Sequence, residues 1–407
     1  MIKSVGEIRE QFPYFDKAVN PRQTIYFDNA ATTHKPYRVV ERVNQMNSWL
    51  NGNVHRSPHY LGEESTRLYE ESREEIQHFI NARNREEIIF TSGTTASINL
   101  VANVLADSFL KEGDTVLISQ AEHHSNIVPW QLVSKKKGIF LKVIPIDSDG
   151  IIDLEQLSKM ITPDVKLISI SHVSNVLGLL NPVVEIGKIA KQNSILYLVD
   201  GAQGIVHSRV DVQKIGCDFY AFSGHKIYGP TGIGILYGRL ELLSTLPPWM
   251  GGGDMIESVS FKESTYAKPP LKFEAGTPNY IGAAGLGEAI RFTNSIDETF
   301  VKQHEITIIK SMIEGLREIP GMTLYGDKLD QKTTLFSFNI KGIHHYDLAT
   351  LLDKSGVAVR SGFVCSEPLI RQLGAQGIVR ASLMPFNTEE EIAIFLESLK
   401  RAIKLLI

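Results

Sequence analysis

Short apolar runs recur between Glu87 and Tyr237: Glu87–Phe90, Thr115–Ile118, Phe140–Ile144, Lys166–Ile170, Ile195–Val199, Asp218–Phe222 and Gly234–Tyr237. Between several of them lie segments with helical spacing, such as Thr95–Asp107, Asp153–Met160 and Val184–Gln192. Continuous Val, Ile and Leu runs separated by helices predict a mostly parallel sheet covered on both faces. Right-handed crossovers then gather the loops at the carboxyl ends of the strands, where α/β proteins place their chemistry.

The pattern changes after Gly238. Pro247-Pro248, Gly251-Gly252-Gly253 and Lys268-Pro269-Pro270 mark loops, and two long helical stretches follow, Gly282–Asn294 and Phe300–Ile319. The remainder reads as a smaller α+β unit, with strands near Thr333–Ile340 and Ala358–Val359 and helices near Tyr346–Lys354 and Thr388–Leu406. The fold class is therefore α/β, with a large domain over 25–265 and a small domain from 1–24 plus 266–407. The N-terminal helix is expected to pack on the C-terminal unit. A length of 407 residues suits this division.

Composition removes several classes of function. The net charge of -4 and the scattered Lys and Arg leave no electrostatic footprint for nucleic acid. No run approaches the roughly 18–20 apolar residues needed to cross a bilayer. Met1–Phe15 has no uninterrupted apolar core of a secretory signal. Two cysteines, Cys217 and Cys365, are too few for a disulfide scaffold, so a reducing, cytoplasmic setting is expected. An unpaired thiol could persist there as a nucleophile.

The loops at the strand ends carry the candidate chemistry. An apolar strand ending at Phe222 runs into Ser223-Gly-His-Lys226, and a desolvated lysine there would have the neutral amine that Schiff-base formation needs. Asp200 closes the strand of Leu196-Tyr-Leu-Val-Asp, where a carboxylate is costly unless it meets a cation such as a protonated pyridine nitrogen. Gln203, just beyond, could donate to a phenolate oxygen. Thr94 and Thr95 open a helix after Gly93 and, with Ser223 and His225, form a phosphate site without a Walker lysine. His123 could lie flat on a pyridine ring, and Asn175 could contact the ring's phenolate or a substrate carboxylate. The pair His123-His124 lacks companions at metal-ligand spacing, so no metal is expected. Taken singly, Lys226 could be a solvated surface lysine and Asp200 a helix cap. Together they point to pyridoxal 5′-phosphate (PLP) carried on Lys226.

Tyr26-Phe-Asp-Asn-Ala-Ala-Thr-Thr, Tyr197-Leu-Val-Asp-Gly-Ala-Gln and Phe222-Ser-Gly-His-Lys resemble the class V aminotransferase superfamily of fold type I PLP enzymes. Asn53-Val-His-Arg, Ala121-Glu-His-His-Ser-Asn, Gly224-His-Lys-Ile-Tyr-Gly-Pro-Thr-Gly and Phe273-Glu-Ala-Gly-Thr-Pro-Asn are similar to the Suf-type (group II) cysteine desulfurases, whose close relatives are the selenocysteine lyases. The likeness runs from about Tyr26 to Asn387. It implies Lys226 as the Schiff-base lysine and proton carrier, and Asp200 as the pyridinium partner. It further implies Gln203 and Asn175 at the phenolate side, His123 stacked on the ring, and Thr95, Ser223 and His225 at the phosphate. Thr277 matches a threonine supplied by a neighbouring subunit, which implies a homodimer. Arg380 matches the clamp on the substrate carboxylate, and Arg360 and His55 match further substrate positions. The implied reaction converts L-cysteine to L-alanine and a persulfide on Cys365. That sulfur would pass to an acceptor protein, with iron-sulfur cluster assembly as its destination.

One departure bears on that chemistry. The family's Arg-x-Gly-His-His-Cys segment is Arg360-Ser-Gly-Phe-Val-Cys365 in this chain, and Ser366-Glu-Pro departs as well. Loss of two imidazoles predicts a less activated thiol unless Arg360 or a helix start compensates. The alternatives are a selenocysteine lyase, or a class V aminotransferase, epimerase or lyase in which Cys365 is an inert small hydrophobe. Cys217, beside an apolar strand, reads as core.

Overall fold

A computed structural model describes residues 1–17 and 24–407. Residues 18–23, part of the expected 1–24 segment of the small domain, lie outside the described residues.

The apolar runs become one sheet of β2 (Ile88–Thr91), β3 (Thr115–Ser119), β4 (Phe140–Ile144), β5 (Val165–Ser171), β6 (Leu196–Asp200), β7 (Phe219–Ser223) and β8 (Gly234–Gly238), following β1 (Ile25–Tyr26) in the chain. Its order is β2-β8-β7-β6-β5-β3-β4, with only β8 reversed. Successive side chains alternate between two apolar cores. Tyr220 and Phe222 enter one and Phe219 and Ala221 the other, as do Tyr197 and Val199 against Leu198. Burial on both faces explains the continuous apolar runs of the inner strands, whereas the edge strand β4 leaves Phe140 and Val143 exposed. Each fully buried phenylalanine contributes about 1.5–3 kcal/mol.

After β9 (Ile256–Val259) and β10 (Ser264–Tyr266), a four-stranded antiparallel sheet follows, ordered β11-β12-β15-β14. Its strands are β11 (Met322–Tyr325), β12 (Leu335–Ile340), β14 (Arg360–Gly362) and β15 (Ile378–Ser382). The strand expected near Ala358–Val359 is β13 (Val357–Ala358), which leaves this sheet to pair with β1. The N-terminal helix α1 (Val5–Arg9) divides its contacts. Arg9 pairs with Glu391 of the last helix at 2.7 Å, whereas Ile8 and Phe12 enter the core of the large sheet. No described helix is long and apolar enough to cross a membrane.

The two sheets meet along the segment after β5. Ser337 Oγ donates to the Val176 carbonyl at 2.5 Å, and the Thr333 N–H and hydroxyl donate to that of Gly178 at 2.8 and 2.9 Å. Gly178, at φ 63°, lies so close to β12 that a Cβ would stand 2.4 Å from the Leu335 carbonyl oxygen. These contacts fix the segment that bears Asn175.

Candidate active site

The parallel strands release their loops at one edge of the sheet, around a cavity of about 240 Å³. At one end β2 turns through Gly93 into helix α4 (Thr94–Ser108), the third long helix of the chain after α2 (Tyr37–Ser48) and α3 (Tyr60–Phe79). Gly93 takes φ 149°, which a side chain would strain, and lies against Ser223. The Thr94 N–H donates to Ser223 Oγ at 2.9 Å, the two hydroxyls lie 2.8 Å apart, and Thr95 Oγ1 meets Ser125 Oγ at 2.7 Å. Ser97 is the first residue of the helix whose N–H meets a backbone acceptor, the Gly93 carbonyl. The N–H groups of Thr95 and Ala96, together with these hydroxyls, are suited to an anion.

At the other end Asp200, 4% exposed, accepts from the Ala202 N–H at 3.0 Å through Oδ1. Burial raises its pKa, opposed by that hydrogen bond and by Lys226. Lys226 ends the turn after β7, and desolvation lowers its pKa to about 8, with Asp200 pulling the other way. Burial and the nearby Lys226 push His123 down to about 3, so its imidazole is neutral, and Nδ1 accepts from the Ser125 N–H at 3.0 Å. His225 is likewise held near 4 by burial. Gln203 differs from the expectation in one respect: its amide donates to the Ala30 carbonyl at 2.8 Å and leaves Oε1 buried without a partner.

The third wall comes from the small sheet. Arg360 and Arg380 occupy opposed positions on β14 and β15 and both address Asp28, at 3.7 and 3.4 Å. Burial raises the Asp28 pKa against the pull of these two guanidiniums. Arg380 is 3% exposed, donates to the Asn175 carbonyl at 3.0 Å, and keeps Nε buried without a partner. A planar fork with an unfilled donor suits a carboxylate ligand.

Cys365 is exposed and lines the same cavity, on a loop whose backbone is strained: Val364 has φ 40° and Cys365 φ 60°. Such geometry at a β-branched residue costs on the order of 1–3 kcal/mol and needs external support. That support is Asn175 and His124. Asn175 donates to the Val364 carbonyl at 2.8 Å and accepts from Ser366 Oγ at 2.9 Å. His124 N–H donates to the Cys365 carbonyl at 2.8 Å, and its Nε2 accepts from the Glu367 N–H at 3.0 Å. Phe363 and Val364, which stand where the resembled family carries two histidines, pack against a small apolar cluster that includes Val176, Leu369 and Ile370.

The cavity thus gathers Thr94, Thr95, His123, Asn175, Asp200, Gln203, Ser223, His225, Lys226, Arg360, Cys365 and Arg380. His55 and Thr277 are not among its lining residues. His55 lies 3.4 Å from Glu70, and Thr277 is exposed. Asn175 has its amide committed to the Cys365 loop, so it serves as an anchor in addition to any ligand contact. Asp28, His124, Ser125 and Ser366 were missed as site residues. The first three stand inside motifs quoted for the resemblance, but their roles rest on contacts far apart in the chain.

These residues fit PLP. A hydroxyl-lined helix start suits the phosphate, the buried Asp200 carboxylate forms no ion pair among the described residues, and a lysine of lowered pKa lines the same cavity.

The Aminotransferase class-V family matches residues 25–395. A probable cysteine desulfurase of Halalkalibacterium halodurans is 45% identical over 395 residues, covering 97% of each chain. The cysteine desulfurase of Serratia proteamaculans is 43% identical over 405 residues, covering 99% of each. Among solved structures, the apo cysteine desulfurase of Thermococcus onnurineus has a TM-score of 0.94 at 40% identity, and the Escherichia coli cysteine desulfurase CsdA 0.93 at 38%, each over 100% of both chains.

Proposed function

The chain belongs to the class V aminotransferase family, and on that premise we propose that it is a PLP-dependent cysteine desulfurase that moves sulfur from L-cysteine to Cys365 and releases L-alanine. The observation that carries this reading is the shared cavity, in which a lysine of lowered pKa, a buried arginine with an unfilled Nε and an exposed thiol converge.

When bound, PLP draws electrons from the substrate's α-carbon, which acidifies its proton and weakens the link from the β-carbon to sulfur. Thr94, Thr95, Ser223 and His225 would hold its phosphate, Asp200 would pair with its protonated nitrogen, and the neutral imidazole of His123 would pack beside it. Arg380 receives the substrate carboxylate, with Arg360 and Asp28 setting the local charge. Lys226, half neutral near pH 8, carries the α-proton away and returns it. The Cys365 thiolate forms a bond to the substrate's sulfur. The substrate's carbon–sulfur bond breaks with its electron pair left on carbon, a proton completes alanine, and Cys365 retains the sulfur as a persulfide.

Exposure of Cys365 favours onward transfer to an acceptor protein in a reducing, cytoplasmic setting, with iron-sulfur cluster assembly as the use. The unit is proposed to be a homodimer in which one copy lends Thr277 and His55 to the other's cavity. Trp49 and Tyr60 (66% and 71% exposed) precede and follow His55 in the chain, and Met250 (50%) lies four residues before the Asp254 that pairs with Arg56 at 3.0 Å. Such an apolar surface is what a stable interface would cover. Product analysis with L-cysteine tests the reading: equal alanine and sulfide in the presence of a thiol reductant support it. Amino transfer to a 2-oxo acid in place of sulfide release would contradict it.

A further inference from the structure

His55 and Thr277 stand apart from this chain's cavity, yet a run of polar contacts, buried at Arg73 and Glu274 and half-buried at Glu70 and His55, joins the segments that carry them. Arg73 of α3 is 0% exposed and grips Glu274 with two parallel bonds, Nη1 to Oε1 at 2.8 Å and Nη2 to Oε2 at 3.0 Å. Glu274 also accepts from the Tyr69 hydroxyl at 2.8 Å and the Phe90 N–H at 2.7 Å, and Arg73 donates to the Ile88 carbonyl at 2.6 Å. On its other side Arg73 Nε donates to Glu70 at 3.1 Å, and Glu70 lies 3.4 Å from His55 Nε2.

Thr277 follows Glu274 by three residues, and between them the Gly276 N–H donates to the Gly253 carbonyl at 2.9 Å. The His55 backbone, at φ 70°, donates to Thr66 Oγ1 at 2.8 Å.

A buried ion pair adds little net stability against an apolar replacement, but its geometry is strict once every donor and acceptor is used. We infer that Arg73 and Glu274 are positioning residues that hold His55 and Thr277 at a fixed separation, so that one copy of the chain presents both together to the cavity of a second. The inference rests on the two-copy desulfurase reading above. Arg73→Lys breaks the bidentate grip and puts the fold at risk, so Tyr69→Phe, which removes a single hydroxyl from Glu274, is the deciding variant.

The readout is the rate at which the purified holoenzyme loses PLP into excess scavenger, followed by the visible band of the bound cofactor. Tyr69→Phe is expected to lose it at least about threefold faster than wild type, and the double variant with Thr277→Ala is expected to be no faster than Thr277→Ala alone. Glu70→Gln is expected to raise KM for L-cysteine while PLP loss stays at the wild-type rate. If Thr277→Ala alone loses PLP no faster than wild type, the two-copy reading falls and this inference with it. If Thr277→Ala is fast but Tyr69→Phe is unchanged, or the two add, the inference is overturned and the reading stands.

Discussion

Asn175 holds the Cys365 loop from both sides, donating to the Val364 carbonyl at 2.8 Å and accepting from the Ser366 hydroxyl at 2.9 Å. Between these bonds the chain passes through two residues of positive φ, a conformation that the loop alone would relax. Asn175→Asp keeps the size but cannot donate to the carbonyl. Loss of the loop's anchor is expected to slow persulfide formation by about tenfold or more, since each such bond contributes about 0.5–1.5 kcal/mol and the strain adds to it. Rapid-quench measurement of persulfide checks this, with PLP content as the control for binding.

Lys226 gives a pH prediction. Burial lowers its pKa to about 8, against Asp200, which raises it. Attachment of PLP to the PLP-free protein should therefore accelerate with pH and level off above about 8, well below the value of about 10.4 of an ordinary lysine. The sign for stability follows. The unfolded chain holds the proton more tightly, so Lys226 costs stability below pH 8 and the cost fades as pH rises toward about 10.4. A rate still climbing at the upper end of that range would contradict the assignment.

Arg380 and Asp28 make a substrate prediction. Arg380→Lys retains the charge near Asp28 but loses the planar fork and the unfilled Nε. KM for L-cysteine is expected to rise by about tenfold or more, the scale of one charged hydrogen bond. Steady-state kinetics on cysteine and on cysteamine, which lacks the carboxylate, separate the roles: only the cysteine value should move.

The two thiols should differ sharply. Cys365 is exposed in the cavity, whereas Cys217 is buried and desolvation pushes its thiol pKa up. Brief treatment of the native protein with iodoacetamide is expected to modify Cys365 alone and abolish desulfuration. Peptide mapping checks the site, and modification of both residues occurs only after unfolding.

Much of this was readable in the chain because the inner strands of the large sheet are covered on both faces. Its strands appear as runs such as Ile195–Val199, and the observed ends differ from the expected ones by about a residue. Lys226, Asp200 and Thr94 were legible because each sits where such a run stops. β14 and β15 were not, since Arg360 and Arg380 interrupt apolar sequence and are satisfied by Asp28 more than 300 residues away. Helix α3 also escaped notice, because Arg73 is a core residue only by virtue of Glu274. The grip of Asn175 and His124 on the Cys365 loop depends on bonds between distant segments and has no local pattern.

The most direct test of the central claim is the mass of the Cys365 peptide after incubation with L-cysteine and no reductant. One added sulfur atom is predicted on that peptide in the wild type, and none on it in Lys226→Ala. In Cys365→Ala, sulfide release from cysteine is predicted to stop. An unmodified Cys365 in an enzyme that turns over cysteine, or full turnover in Cys365→Ala, would contradict it.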